Sequence, residues 1–164
     1  MLAWKSGDSV EVIEKLVDSS CSFAETAYDH TSPEHLYYIA LYTAVILYID
    51  DHGGKHLDAI RQFAARFAQG KKQLSPALDT LVDLMRGAHR LWTDVGADAI
   101  IAGTFDAVTA MYIECTTQDM EIKPQATLYP YYLRTRTGIC PPYIHFVFMK
   151  SWRDTTNSYL QMMP

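Results

Sequence analysis

The stretch SPEHLYYIALYTAVILYIDDHGG, residues 32–54, decides the fold class. Ser32 offers an N-cap oxygen, Pro33 suits a first helical turn because it has no N–H to leave unpaired, and Glu34 sits near the positive helix end. Gly53 and Gly54 stop the pattern, so the sequence predicts a helix running to about Asp51. Its residues are apolar nearly all round, which places it centrally and buried among other helices. The most apolar part, Leu36 to Ile49, is too short to cross a bilayer and holds four tyrosines and a threonine, so no membrane span is expected.

Outward from this segment, helix signals recur and strand signals are nearly absent. Ser9 can cap a first helix whose stripe is Val10, Ile13, Leu16 and Val17. A helix from about His56 to Ala68 ends at Gly70, and Ser75-Pro76 repeats the cap-then-proline signal for another with Leu78, Leu81, Val82 and Met85 on one face. A further helix over about Val95 to Asp119 carries Ile101, Phe105, Val108, Tyr112 and Cys115 at helical steps. Pro124 and Pro130 bound a loop. The last predicted helix starts near Tyr131, is interrupted at Gly138 and Pro141-Pro142, and continues towards Asn157. The expected fold is all-α, with no repeats and no interdomain linker.

The totals narrow the function. The 164 residues are 49% hydrophobic and 20% charged, the balance of a globular chain. Net charge is −5 with no basic run able to track a nucleic-acid backbone, so no nucleic acid is expected as a partner. An anionic ligand would need a locally recruited cation, either a metal ion or one placed arginine. Cys21, Cys115 and Cys140 show no metal-ligand spacing and read as free thiols of a reducing compartment. Met1 to Val12 carries Asp8 and Glu11 and is no secretory signal, so a cytoplasmic location is expected. Composition leaves a homodimer open.

Asp50 and Asp51 carry the chemistry. Two hard oxygen ligands at the negative end of a helix suit Mg²⁺. One and two turns back lie Ile46, then Thr43 and Tyr42, so one helix face offers an acid mouth above an apolar, partly aromatic wall. That combination suits a greasy substrate with a diphosphate head. Two other readings stay open on these residues alone: a solvated helix end, or a transition-metal site using His52 and His56, against which the intervening glycines argue.

Residues 32–51, closing on Tyr48-Ile49-Asp50-Asp51, resemble the aspartate-rich helix of fungal trichodiene synthase-type sesquiterpene cyclases, a class I terpenoid synthase family. Phe67-Ala68-Gln69-Gly70 and Tyr112-Ile113-Glu114 are similar to the following helices, and Tyr131-Tyr132-Leu133-Arg134-Thr135-Arg136-Thr137-Gly138 is the second strong match. The resemblance covers residues 32–164 and is weak over 1–31. It implies the N-terminal half of a class I terpenoid synthase helical bundle, with residues 1–164 forming a single partial domain. The implied activity is Mg²⁺-dependent cyclisation of a linear isoprenoid diphosphate, most readily farnesyl diphosphate, with release of diphosphate. Asp50 and Asp51 would hold the metal. Arg134 would sense the diphosphate, as a rigid guanidinium can fork two phosphate oxygens. Gly138, at a helix break with unsatisfied carbonyls, would face the reacting carbons. Tyr42 and Tyr112, with Phe105 and Trp92, are candidates to line the cavity, where each aromatic face would contribute about 0.5–2 kcal/mol to a cation; a helical aromatic stripe is also ordinary core.

Two departures from the family pattern matter. The stretch after Asp50-Asp51 reads His52-Gly53-Gly54, without a further acid. No second metal motif of the form Asn-Asp, Ser/Thr, Glu follows Arg134, and Asn157 lacks the required Glu. A truncated, inactive form is therefore expected. The rival reading is a non-catalytic helical remnant or binding protein, and a chain-elongating prenyl synthase would show a fuller aspartate-rich motif.

Overall fold

The computed structural model describes residues 10–137, 140–151 and 158–163. Within them run α1 (Val10–Ala27), α2 (Pro33–His52), α3 (Leu57–Ala68), α4 (Pro76–Leu91), α5 (Asp94–Thr116), α6 (Tyr129–Thr137) and α7 (Cys140–Phe146), with 3₁₀ turns at Gly53–Lys55 and Ser158–Met162. No strand occurs among the described residues, so the chain is all-α. Nor is any described helix long and apolar enough to cross a membrane.

The proline-opened helices begin where their sequence signals lie, but not by the expected capping bond. Ser32 makes no side-chain cap to α2; its hydroxyl lies 2.7 Å from His35 Nδ1, and His35 Nε2 lies 3.1 Å from the Leu91 carbonyl. A carbonyl only accepts, so Nε2 carries the proton and Nδ1 accepts from Ser32. The start of α2 is thereby pinned to the end of α4. Thr93, which follows α4, is a true cap, its hydroxyl accepting from the Gly96 N–H at 3.2 Å.

The helix expected from Tyr131, interrupted at Gly138 and Pro141-Pro142, differs at its ends, and Pro141 and Pro142 lie within the first turn of α7. It starts at Tyr129, resumes as α7 and ends at Phe146. There the backbone tightens, with the Phe148 N–H bonding the His145 carbonyl, and Lys150 N–H then crosses to the Leu91 carbonyl at 3.0 Å. That tie draws the chain away from the α7 axis. Residues 152–157, with Asn157, lie outside the described residues.

The core is rich in aromatic rings. α2 buries ten side chains, among them Tyr38, Tyr42, Val45, Ile46 and Ile49. Tyr38 O–H donates to the Leu84 carbonyl at 2.8 Å, tying α2 to α4. Trp92 is wholly buried, its ring centroid 4.7 Å from Tyr38 and 5.2 Å from Phe146. Phe146 also packs edge-on against Tyr42 at 5.1 Å, so α7 plugs the space between α2 and α5. Edge-to-face pairs of this kind add to the burial term itself.

On α5 the expected stripe is not the deepest face. Val108 of that stripe is buried, but Ile101, Phe105, Tyr112 and Cys115 are half-buried, whereas Ile100, Thr104, Ala107 and Met111 are buried. α5 is packed on several sides: Phe105 meets Phe63 and Phe67 of α3, and the small-residue face receives α7. Gly103 sits on that face, where a Cβ would stand 2.6 Å from Pro142 Cδ. In a helix interior alanine is otherwise preferred to glycine by roughly 0.5–1 kcal/mol, so the close approach accounts for the residue.

Candidate functional site

Cross-helix pairs define the direction of α2 and α5. Tyr42 lies 2.8 Å from Thr104, and further along Asp50 faces Glu114, so the two helices run the same way. Their C-terminal ends, both negative by the helix dipole, come to the same end of the molecule. Asp50 lies there in the last turns of α2, exposed at its rim yet partly desolvated. Partial burial pushes its carboxyl above the usual carboxylate range, and the charges of Glu114 and Asp51 push the same way. Burial likewise raises the Cys115 thiol, again with the help of Glu114 and Asp50. These groups share a strongly negative field that a cation would relieve.

Among the described residues no three His, Cys, Asp or Glu side chains come together to form a metal cage. The donors fit a hard cation that takes one or two carboxylates and completes its shell with water and phosphate oxygens, the habit of Mg²⁺. They fit a histidine-ligated metal poorly. His52 Nδ1 lies 3.2 Å from the Tyr48 carbonyl and its ring stacks on Tyr48, while His56 stands exposed before α3.

α6 runs antiparallel to α5, with the Tyr129 hydroxyl 3.2 Å from Thr117 at one end and Arg136 Nε 3.7 Å from Asp106 at the other. Arg136 also lies over the Tyr132 ring, 4.2 Å from its centroid. Arg134 sits between these anchors, two residues before Arg136, and is exposed. Asp106 stands about two helical turns before Glu114, so the anchor nearest Arg134 lies near the middle of α5, whereas the acid pair faces its C-terminal end.

The remaining site residues are not gathered there. Tyr42 is wholly buried and its ring is enclosed by Tyr38, Tyr143 and Phe146. Thr104 spends its own proton on the Ile100 carbonyl, so Tyr42 O–H donates to Thr104 and is satisfied within the core. Tyr112 is half-buried and close enough to Arg61 of α3 for the two to interact electrostatically. Gly138 lies outside the described residues. Sequence reasoning did not link Glu114 and Cys115 to Asp50. An acid near the end of a second buried helix was the available signal, but the parallel course of α2 and α5 was needed to use it.

No protein-family model matches the chain. It is 25% identical over 140 residues to the alpha-cuprenene synthase of Coprinopsis cinerea, covering 85% of this chain and 42% of that protein. Terpene synthase BipA of Cochliobolus sativus is 25% identical over 129 residues, 77% of this chain and 39% of its own length. The (E)-beta farnesene synthase of Metarhizium brunneum is 23% identical over 143 residues, 86% of this chain and 43% of its own length. The chain thus spans about two fifths of the length of these curated relatives. Across most of that span its sequence is similar to fungal terpene synthases, and its all-α architecture accords with that likeness.

Proposed function

We propose that this chain supplies the aspartate and diphosphate-sensing parts of a sesquiterpene cyclase site of the trichodiene synthase type, acting on farnesyl diphosphate. The observation that carries the reading is the Asp50 carboxyl, held in a negative field by Glu114 and Asp51 at the shared C-terminal end of α2 and α5. Asp50, with Asp51 as second ligand, would hold Mg²⁺, which when bound supplies positive charge to the departing diphosphate. Arg134 would fork two diphosphate oxygens and balance the charge that develops as the carbon–oxygen bond breaks. Gly138 would offer its carbonyl, and Tyr112 its ring, to the resulting cation. The relatives' names support the activity class, since they describe an alpha-cuprenene synthase, a terpene synthase and an (E)-beta farnesene synthase.

The test is Mg²⁺-dependent diphosphate release by the complete protein, with and without Asp50→Ala. Undiminished release in the variant removes Asp50 from the mechanism. A second reading, a helical binding protein derived from a cyclase, draws on Tyr42, whose enclosed ring and satisfied hydroxyl serve the core. Release that is absent from the complete wild-type protein favours this second reading.

A further inference from the structure

α6 is a nine-residue helix without a buried side chain, and it carries the arginine pair Arg134 and Arg136. An isolated helix of that length is marginal in water, so its position has to come from its contacts with α5, which are anchored near both ends. Its start is tied by the Tyr129–Thr117 hydroxyl contact at 3.2 Å. Its end is tied to a single turn of α5. Asp106 faces Arg136 at 3.7 Å, and three residues earlier Gly103 leaves a notch filled by Pro142 in the first turn of α7. A Cβ at Gly103 would meet Pro142 Cδ at 2.6 Å, Pro142 Cγ at 3.0 Å and Pro141 Cβ at 3.3 Å. These atoms belong to rigid rings close to the backbone, so the contact cannot be relieved by a rotamer change.

We infer that the Gly103–Asp106 turn of α5 is a two-point seat that fixes both sides of the α6–α7 junction, making Gly103 and Asp106 positioning residues for the helix that carries Arg134. One point is steric and the other ionic. The steric point sets how closely α7 approaches α5, and the ionic point holds the last turn of α6 to α5. Its functional meaning rests on the role proposed for Arg134, while the seat itself can be read without any catalysis.

Trypsin provides the probe, because it cleaves after Arg134 and Arg136 only when α6 opens, and after Arg61 and Arg66 only when α3 opens. In the 164-residue chain, Gly103→Ala should speed cleavage at Arg134 and Arg136 by about tenfold or more, an overpacking effect confined to this junction. Cleavage at Arg61 and Arg66 should keep its rate. Adding Pro142→Ala removes the two ring carbons nearest the new Cβ and should return α6 cleavage most of the way to wild type. Asp106→Asn, a surface change that leaves packing intact, should speed α6 cleavage by up to about fivefold, and Asp106→Glu should restore protection. Unchanged α6 cleavage in both Gly103→Ala and Asp106→Asn overturns the seat. So does equal acceleration in α3, or a Gly103→Ala effect that Pro142→Ala leaves untouched. None of these outcomes depends on diphosphate chemistry, so failure of the seat and failure of the cyclase reading are separable.

Discussion

Asp50 is a residue whose charge costs the fold something. Its folded-state affinity for a proton is raised by burial, then by Glu114 and Asp51. The folded chain therefore binds this proton more readily than the unfolded chain does, and stability falls as pH rises from 3.8 through the folded value. Asp50→Asn should accordingly raise the urea midpoint at pH 7 and lose that advantage at pH 3, while abolishing diphosphate release in the complete protein. A carboxylate that destabilises its own fold and is needed for activity is the mark of a functional group. A lower midpoint at pH 7 would show that the negative field is balanced by contacts made by the charged form. Tyr42 should behave in the opposite way. Tyr42→Phe removes one buried hydrogen bond to Thr104, a loss of about 0.5–1.5 kcal/mol by denaturant unfolding. If the same change alters the product mixture of the complete protein without lowering stability, the ring faces substrate instead.

At the scale of elements, α7 links the core to the chain beyond it through a histidine. His145 is buried, its Nδ1 3.1 Å from the Tyr159 hydroxyl, and burial lowers its pKa below 6.5. The unfolded chain binds that proton first, so the contribution is complete above about pH 6.5 and is lost as pH falls through the folded value. Wild type should lose more thermal stability between pH 7 and pH 5 than His145→Gln, measured by circular dichroism; equal losses would mean that the ring is already solvated. The elements themselves were legible to different degrees. Ser32-Pro33, Ser75-Pro76 and Gly70 marked the ends of α2, α4 and α3 because prolines and glycines act through local backbone geometry. The buried face of α5 was legible only at Val108, since helices pack on several of its sides and the small residues Gly103 and Ala107 matter by letting neighbours approach. The end of α7 was missed for a similar reason. It depends on Lys150 reaching the Leu91 carbonyl, a tie between residues far apart in sequence. Within the candidate site, Asp50 and Arg134 stood out by spacing and likeness, whereas Glu114 emerged only once α2 and α5 were seen to run in parallel.

At the scale of the whole molecule, the proposed site offers one carboxylate pair and one guanidinium but little enclosure. Ile122, Leu128 and Tyr131, on and before α6, are 52%, 75% and 70% exposed. A reaction that passes through a carbocation needs water excluded and a dense positive charge around its leaving group. Mg²⁺ demands six oxygens in near-octahedral array, of which Asp50 and Asp51 supply at most a few, and a single ion with Arg134 neutralises a diphosphate incompletely. The matched span is less than half the length of each relative that this chain resembles. The 164-residue chain incubated with Mg²⁺ and farnesyl diphosphate should therefore release diphosphate no faster than buffer, within the roughly tenfold resolution of a coupled assay. A protein carrying the same residues together with an Asn-Asp, Ser/Thr, Glu motif on a later helix should turn over, and Asp50→Asn should abolish that turnover. A cyclised hydrocarbon formed by the 164-residue chain alone would overturn the requirement for a second metal motif, and would mean that Asp50, Asp51, Glu114 and Arg134 suffice to ionise the substrate.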